Sequence, residues 1–244
     1  MPAPAPLELA QFKQIVIMTG AGVSVASGLP TYRGVGGIWG TVDVGSHATA
    51  AVIATDPGKV WSFFSGIRHQ IAGARPNAGH LAIARAEARL RPDQSMTVLT
   101  QNVDGLHTVA GSKRVVELHG TLRQSRCTGC DYARAEDLAA SPRECPSCPS
   151  CRAPMRPAVV LFHEALPVDA EWNSKKSLRD CDLFLAVGTS GTVSPASNCV
   201  RAAAYAGART IFVNLEPMTP HNPAFQGVIL GRAEDILPRL FADP

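Results

Sequence analysis

Residues 15–34 read Ile15-Val16-Ile17-Met18-Thr19-Gly20-Ala21-Gly22-Val23-Ser24 followed by VASGLPTYRG, an apolar run delivered straight into glycines and then into a polar loop. The run at 15–18 reads as a buried strand. The turn Gly20-Ala21-Gly22 lets backbone approach a ligand closely, and a helix opening at Ser24 would aim its first N–H groups at a pyrophosphate. A tight strand-to-helix turn without a ligand accounts for Gly-Ala-Gly equally well. A dehydrogenase fingerprint is excluded, because Val25 stands where G-x-G-x-x-G needs its third glycine and no acidic residue ends a second strand about twenty residues on.

Working outward, Pro30, Tyr32 and Arg33 place an aromatic and a guanidinium beside the turn, on a loop loosened by Gly34, Gly36 and Gly37 that could close over a cofactor. Two further polar motifs follow, Thr100-Gln101-Asn102-Val103-Asp104-Gly105-Leu106-His107 and Glu117-Leu118-His119-Gly120. After them come Cys127-x-x-Cys130 and Cys148-x-x-Cys151, separated by seventeen residues, the spacing of a tetrahedral four-thiolate zinc site. Four thiolates leave no open position, so such a zinc would be structural. Cys145 offers a rival register whose spacer of fourteen residues is short, and it is placed outside the ligand set. Cys181 and Cys199 lie in apolar surroundings and read as core residues.

On these motifs, which span nearly the whole chain, the sequence resembles the sirtuin family of NAD-dependent protein deacylases. The resemblance implies NAD as co-substrate and structural Zn(2+). It implies that Gly20, Ala21, Gly22, Ser24, Pro30, Tyr32 and Arg33 surround the phosphates and the closing loop. Asn102 and Asp104 would hold the nicotinamide carboxamide, Gln101 and His119 the ribose hydroxyls, with His119 as the base and Asn102 beside it in catalysis. Gly188, Thr189, Ser190, Asn214 and Glu216 would take the adenosine end, and Ala233 the adenine edge. The acyl-lysine would enter past Phe64 and Ile67, its peptide adding as a strand between Val160, Phe162 and His163 on one side and Val193 on the other. The products would be nicotinamide, free lysine and O-acyl-ADP-ribose. An NAD glycohydrolase or mono-ADP-ribosyltransferase using the same pocket is the alternative, and a non-enzymatic NAD sensor a third reading.

The chain departs from the family in two places. Phe162-His163-Glu164 stands where sirtuins read Phe-Gly-Glu, and Phe64 and Ile67 occupy the positions of the Tyr-x-x-Arg pair with which one branch holds acidic acyl groups. Arg68, one helical turn from Phe64, could serve as a substitute anchor if the helix is rotated relative to that alignment.

With 244 residues the chain can bury one α/β core and a small appendage. A net charge of +3 with scattered Lys and Arg argues against an extended nucleic-acid interface, and no apolar run reaches the ~18 residues of a membrane span. Seven cysteines without a secretion signal fit a cytoplasmic protein whose thiols stay reduced; a monomer is compatible with all of this. Apolar runs at 15–18, 96–100, 158–162, 182–187 and 210–215, with helical patterns at 57–73 and 78–90 and a closing strand and helix in 228–240, predict a doubly wound parallel Rossmann-like sheet with a smaller inserted zinc-binding and helical domain. The expected division is 1–35, 76–122 and 157–244 for the large domain, and 36–75 and 123–156 for the small one.

Overall fold

The computed structural model describes residues 5–31, 46–136, 138, 142–191 and 196–242. Its strands are β1 (Gln14–Thr19), β2 (Ser95–Thr100), β3 (Val115–Glu117), β4 (Gly120–Cys127), β5 (Ala133–Ala135), β6 (Met155–Val159), β7 (Leu183–Val187), β8 (Arg209–Asn214) and β9 (Gly227–Leu230). Its α-helices are α1 (Ala50–Thr55), α2 (Pro57–Gly73), α3 (Ala78–Ala88), α4 (Leu106–Ala110), α5 (Val168–Arg179), α6 (Cys199–Tyr205) and α7 (Ala233–Leu240).

Six strands form a parallel sheet in the order β3-β2-β1-β7-β8-β9. Alternate residues of its central strands feed two cores. Ile15, Ile17, Val98, Leu185 and Val213 meet Ile83 of α3 and Leu237 of α7, whereas Val16, Met18, Leu99, Phe184 and Phe212 meet Leu178 of α5 and Val200 of α6. Both faces are therefore covered, which is why β1 and β7 are apolar at every position between Ile15 and Met18 and between Leu183 and Val187. β1 lies between β2 and β7, and the winding direction reverses there, which opens a crevice outside the strand ends.

The helix starts are legible in sequence. The Asp56 carboxylate accepts from Lys59 N–H ahead of Pro57, and the Asn77 side chain accepts from Gly79 N–H while His80 Nδ1 accepts from Asn77 N–H.

One expected strand is placed elsewhere. The run at 158–162 does not join the parallel sheet; β6 ends at Val159 and pairs antiparallel with β4 in a second sheet of order β5-β4-β6. A short apolar run looks the same in either sheet, and its partners Gly120 and Thr121 lie far back along the chain beside His119. The second sheet takes Gly120–Cys127 and Met155–Val159, so it crosses the expected boundaries at 122 and 157. Against it pack Phe64, Ile67 and Ile71 of α2 with Leu122 and Leu161, and Trp61 with Cys127, Cys148 and Met155. Among the described residues no helix is long and apolar enough to cross a membrane.

Candidate active site and metal centre

A cleft of about 1150 Å3 opens at the carboxyl ends of β1, β7 and β8, with Gly20, Gly188 and Asn214 on its wall. The glycines of the first loop serve loop-to-loop contact. A Cβ on Gly20 would lie 2.8 Å from Gly188 O, and one on Gly22 2.8 Å from Gly188 Cα. The Gly22 N–H donates to Gly188 O at 2.9 Å and the Val23 N–H to Gly20 O at 3.1 Å. The helical segment is a 3-10 helix over Ala21–Ser27, capped at Gly20, in place of the α-helix expected to open at Ser24. In its first turn the Ala21 N–H is left without a partner among the described residues.

Behind this turn Ser24 Oγ donates to Asp104 Oδ2 at 2.7 Å, and Leu106 N–H donates to Asp104 Oδ1 at 2.8 Å. Ser24 and Asp104 thus hold the 101–105 loop against the turn and do not line the cleft. Asn102 does line it. Its Nδ2 donates to Gly20 O and Ser24 Oγ, while its buried Oδ1 has no partner. An unsatisfied buried carbonyl costs about 1–3 kcal/mol, so a ligand amide N–H is the group that fits there.

Gln101 Nε2 donates to Thr189 Oγ1 at 3.0 Å, tying the β2 and β7 loops together over β1. The Gln101 carbonyl accepts from His119 Nδ1 at 3.0 Å, which selects the neutral tautomer with an acceptor Nε2 on a cleft-lining ring. Burial lowers the His119 pKa below its ordinary value, with the Gln101 hydrogen bond opposing.

Ala21, Pro30, Ser190, Glu216 and Ala233 also line the cleft; Asn214 Nδ2 donates to the Glu216 carbonyl at 3.2 Å. Beyond His119 the wall turns apolar, with Phe64, Val160 and Phe162 joined by His163. Ile67 is buried in the core behind, packed with Phe64 but not on the cleft surface. Tyr32, Arg33 and Val193 lie outside the described residues. Sequence reasoning missed Ala48 and Val103 on this wall. Ala48 arrives through a long-range bridge, accepting from Phe162 N–H at 2.9 Å while Ala50 N–H donates to Phe162 O at 3.1 Å, and no local pattern announces it.

Arg68 is not available as an anchor for an acyl group. It is fully buried and off the cleft wall; its Nε donates to Leu122 O and its Nη2 to Gln124 O and Ser125 Oγ, its guanidinium stacks 4.6 Å from the Trp61 ring, and its Nη1, left without a partner, is enclosed in the core.

Cys127, Cys130, Cys148 and Cys151 bring all four Sγ atoms within 4.8 Å of one another, with Cys127 to Cys151 at 3.4 Å and Cys130 to Cys148 at 3.7 Å. Tetrahedral thiolates at the usual Zn–S length of about 2.3 Å stand about 3.8 Å apart, so the cluster fits zinc. Cys145 points away, its Sγ donating to Met155 O at 3.0 Å. Burial pushes the Cys181 and Cys199 thiols up to about 12 and about 11, as inert core residues require.

Residues 20–195 match the Sir2 family. Over 240 residues, 95% of this chain and 94% of the relative, the sequence is 40% identical to NAD-dependent protein deacylase 1 of Pseudomonas aeruginosa. The chain belongs to the Sir2 family. It is also 43% identical over 237 residues to NAD-dependent protein deacylase 2 of Pyrobaculum aerophilum, covering 95% of this chain and 91% of that one. Among solved structures, a Sir2 homologue mutant in complex with ADP ribose superposes with a TM-score of 0.89 at 33% identity, covering 96% and 92% of the two chains. A Sir2 homologue in complex with NAD gives 0.86 at 31% identity, covering 99% and 95%.

Off the cleft wall this Sir2-family chain buries two histidines. The His80 and His107 rings stand 4.7 Å apart, both at most 1% exposed, and His107 Nε2 bonds Thr19 Oγ1, which in turn donates to Thr100 Oγ1. Burial lowers both pKa values, His107 to about 3 with the neighbouring His80 adding to the effect. His107 is therefore neutral in the fold and takes up a proton on unfolding below the ordinary value of 6.5, and the lowered His80 acts in the same direction. Stability is therefore full above pH 6.5 and falls as pH drops towards about 3; His107 alone should cost about 2 kcal/mol at pH 5 relative to pH 8. Urea midpoints across pH 8 to 5 test this, and a His107→Gln protein with the same acid loss would refute the assignment.

Proposed function

We propose that this chain is an NAD-dependent protein-lysine deacylase that, consuming one water, passes the acyl group of a modified lysine to the ADP-ribose of NAD and releases nicotinamide and free lysine. The observation that carries it is His119, an imidazole locked through Nδ1 to the Gln101 carbonyl, on the wall of a dinucleotide-sized cleft that Phe64, Val160 and Phe162 also line. Bound NAD supplies an electrophilic anomeric carbon with nicotinamide as its leaving group. Asn102 Oδ1 orients an amide at that end, the loops at Gly20, Gly188 and Asn214 seat the phosphates and adenosine, and His119 Nε2 accepts a proton. Phe64 and Phe162 receive the acyl chain. Tyr32, Arg33 and Val193 keep their proposed roles on the closing loop and the peptide groove, while Ser24 and Asp104 support the 101–105 loop from behind.

A glycohydrolase would need no apolar wall beyond His119, which favours the deacylase. Mass spectrometry of NAD incubated with an acetyl-lysine peptide decides: O-acetyl-ADP-ribose is expected, and ADP-ribose alone would support the alternative. The zinc site, the second sheet, α1 and α2 together make the proposed small domain. We place the protein in the cytoplasm, in keeping with seven free cysteines.

Acyl preference follows from the same wall. Phe64 offers no hydrogen bond to a carboxylate and Arg68 is pinned to β4, so a succinyl group seated against Phe64 finds its charge compensated by neither. The penalty is at least ~1.5–3 kcal/mol, roughly tenfold or more in kcat/KM in favour of acetyl-lysine over succinyl-lysine on one peptide. Equal or reversed rates would contradict this. The core position of Ile67 also means that an arginine placed there would disrupt packing before it could bind an acidic acyl group.

A further inference from the structure

His163 is held in the left-handed backbone region at φ 70°, where a side chain is strained and glycine is the usual occupant. The neighbouring contacts impose this conformation. Glu164 receives two hydrogen bonds from Arg156, at 2.6 and 2.9 Å, and a third from Leu161 N–H at 2.8 Å, while its own N–H donates to Leu161 O. Phe162 is fixed on the other side through Ala48 and Ala50. Residues 161–164 are thus braced from both flanks, and the brace keeps a strained imidazole exposed on the cleft wall.

Polar side chains are few on the wall beyond His119. Glu164 is committed to Arg156 and Glu171 to Lys175, whereas the His163 imidazole has no partner among the described residues. An acyl chain seated against Phe64 and Phe162 brings its peptide backbone across this point. Resting on the deacylase reading, we infer that His163 is a specificity-determining residue that selects peptides with a carboxylate side chain next to the acyl-lysine. Its ring N–H offers a donor to that carboxylate, and a hydrogen bond to a charged acceptor outweighs one to a neutral side chain. Glu164 and Glu171, already paired, give no matching attraction to a basic neighbour.

The test is kcat/KM for acetyl-lysine peptides that differ only in the residue flanking the modified lysine, Glu, Gln or Lys, with wild type, H163G and H163N. Wild type should favour Glu over Lys by about three- to tenfold, carried by KM. H163G should lose that preference through KM, and its Tm should rise by ~4 °C as the strain is relieved. H163N tolerates the same backbone and keeps an N–H donor, so it should retain part of the preference. An unchanged Glu to Lys ratio in H163G would overturn the proposal even if Tm rose, because a purely structural residue moves Tm alone. Wild-type protein that turns over no acyl-lysine peptide would remove the deacylase reading and this inference together; turnover with a flat peptide profile would remove only the inference.

Discussion

Replacing His119 with alanine is expected to lower kcat for deacylation by about 10²- to 10⁴-fold while leaving NAD affinity and folding nearly unchanged. The imidazole is held by one backbone hydrogen bond, from Nδ1 to the Gln101 carbonyl, and the surrounding loops are tied by other pairs, Gln101 to Thr189 and Ser24 to Asp104. Removing it takes away a proton acceptor without opening the cleft. The pH dependence has a definite sign. Burial lowers the His119 pKa below 6.5, so the active neutral form dominates at pH 7 and above, and activity should fall only as pH drops through a value below 6.5. Isothermal titration with NAD and initial rates between pH 5 and 8 measure both halves. A variant that keeps turnover, or a wild-type acid limb above pH 6.5, would remove His119 from the role of base.

Cys148→Ser should lose zinc and fold together. Cys148 is fully buried, packed with Trp61, Cys127 and Met155, and its N–H donates to Ala153 O. Opening one corner of a closed thiolate shell removes much of a binding energy of about 10–16 kcal/mol that is also folding energy for such modules. The damage should reach the cleft. Trp61 Nε1 donates to Pro142 O, and Arg68 stacks on Trp61 while bonding β4, so α2, which carries Phe64, is anchored to the metal module. Zinc content by atomic absorption, soluble yield and deacylation rate should fall in parallel. Cys145→Ser should keep its zinc, because the Cys145 thiol donates to Met155 O outside the cluster. Equal metal loss in the two variants would mean that the ligand register is misassigned.

Several features were legible in the chain because they are local. An apolar run into glycines, Asp56 before Pro57, Asn77 before Ala78, and two Cys-x-x-Cys pairs at a fixed spacing each carry their physical reason within a few residues, and the structure forms β1, α2, α3 and the thiolate cluster there. Whatever depended on a distant partner was not legible. The strand near 158 joined β4 because the register that pairs Gly120 with Val159 is a long-range match, invisible to a pattern of alternating hydrophobicity. Ser24 read as a helix start facing a pyrophosphate and Asp104, by resemblance, as a nicotinamide contact, yet only folding shows that they bond each other. Arg68 is charged and lies one turn from Phe64, so in sequence it resembles an anchor; tertiary packing places Leu122, Gln124, Ser125 and Trp61 around its guanidinium and takes it out of reach. The sequence by itself determined the chemistry available, a histidine, an amide and four thiols in family order. The tertiary structure decided which polar groups face the cleft: most buried donors and acceptors find partners within the fold, and among the few left over Asn102 Oδ1 is the one on the cleft wall.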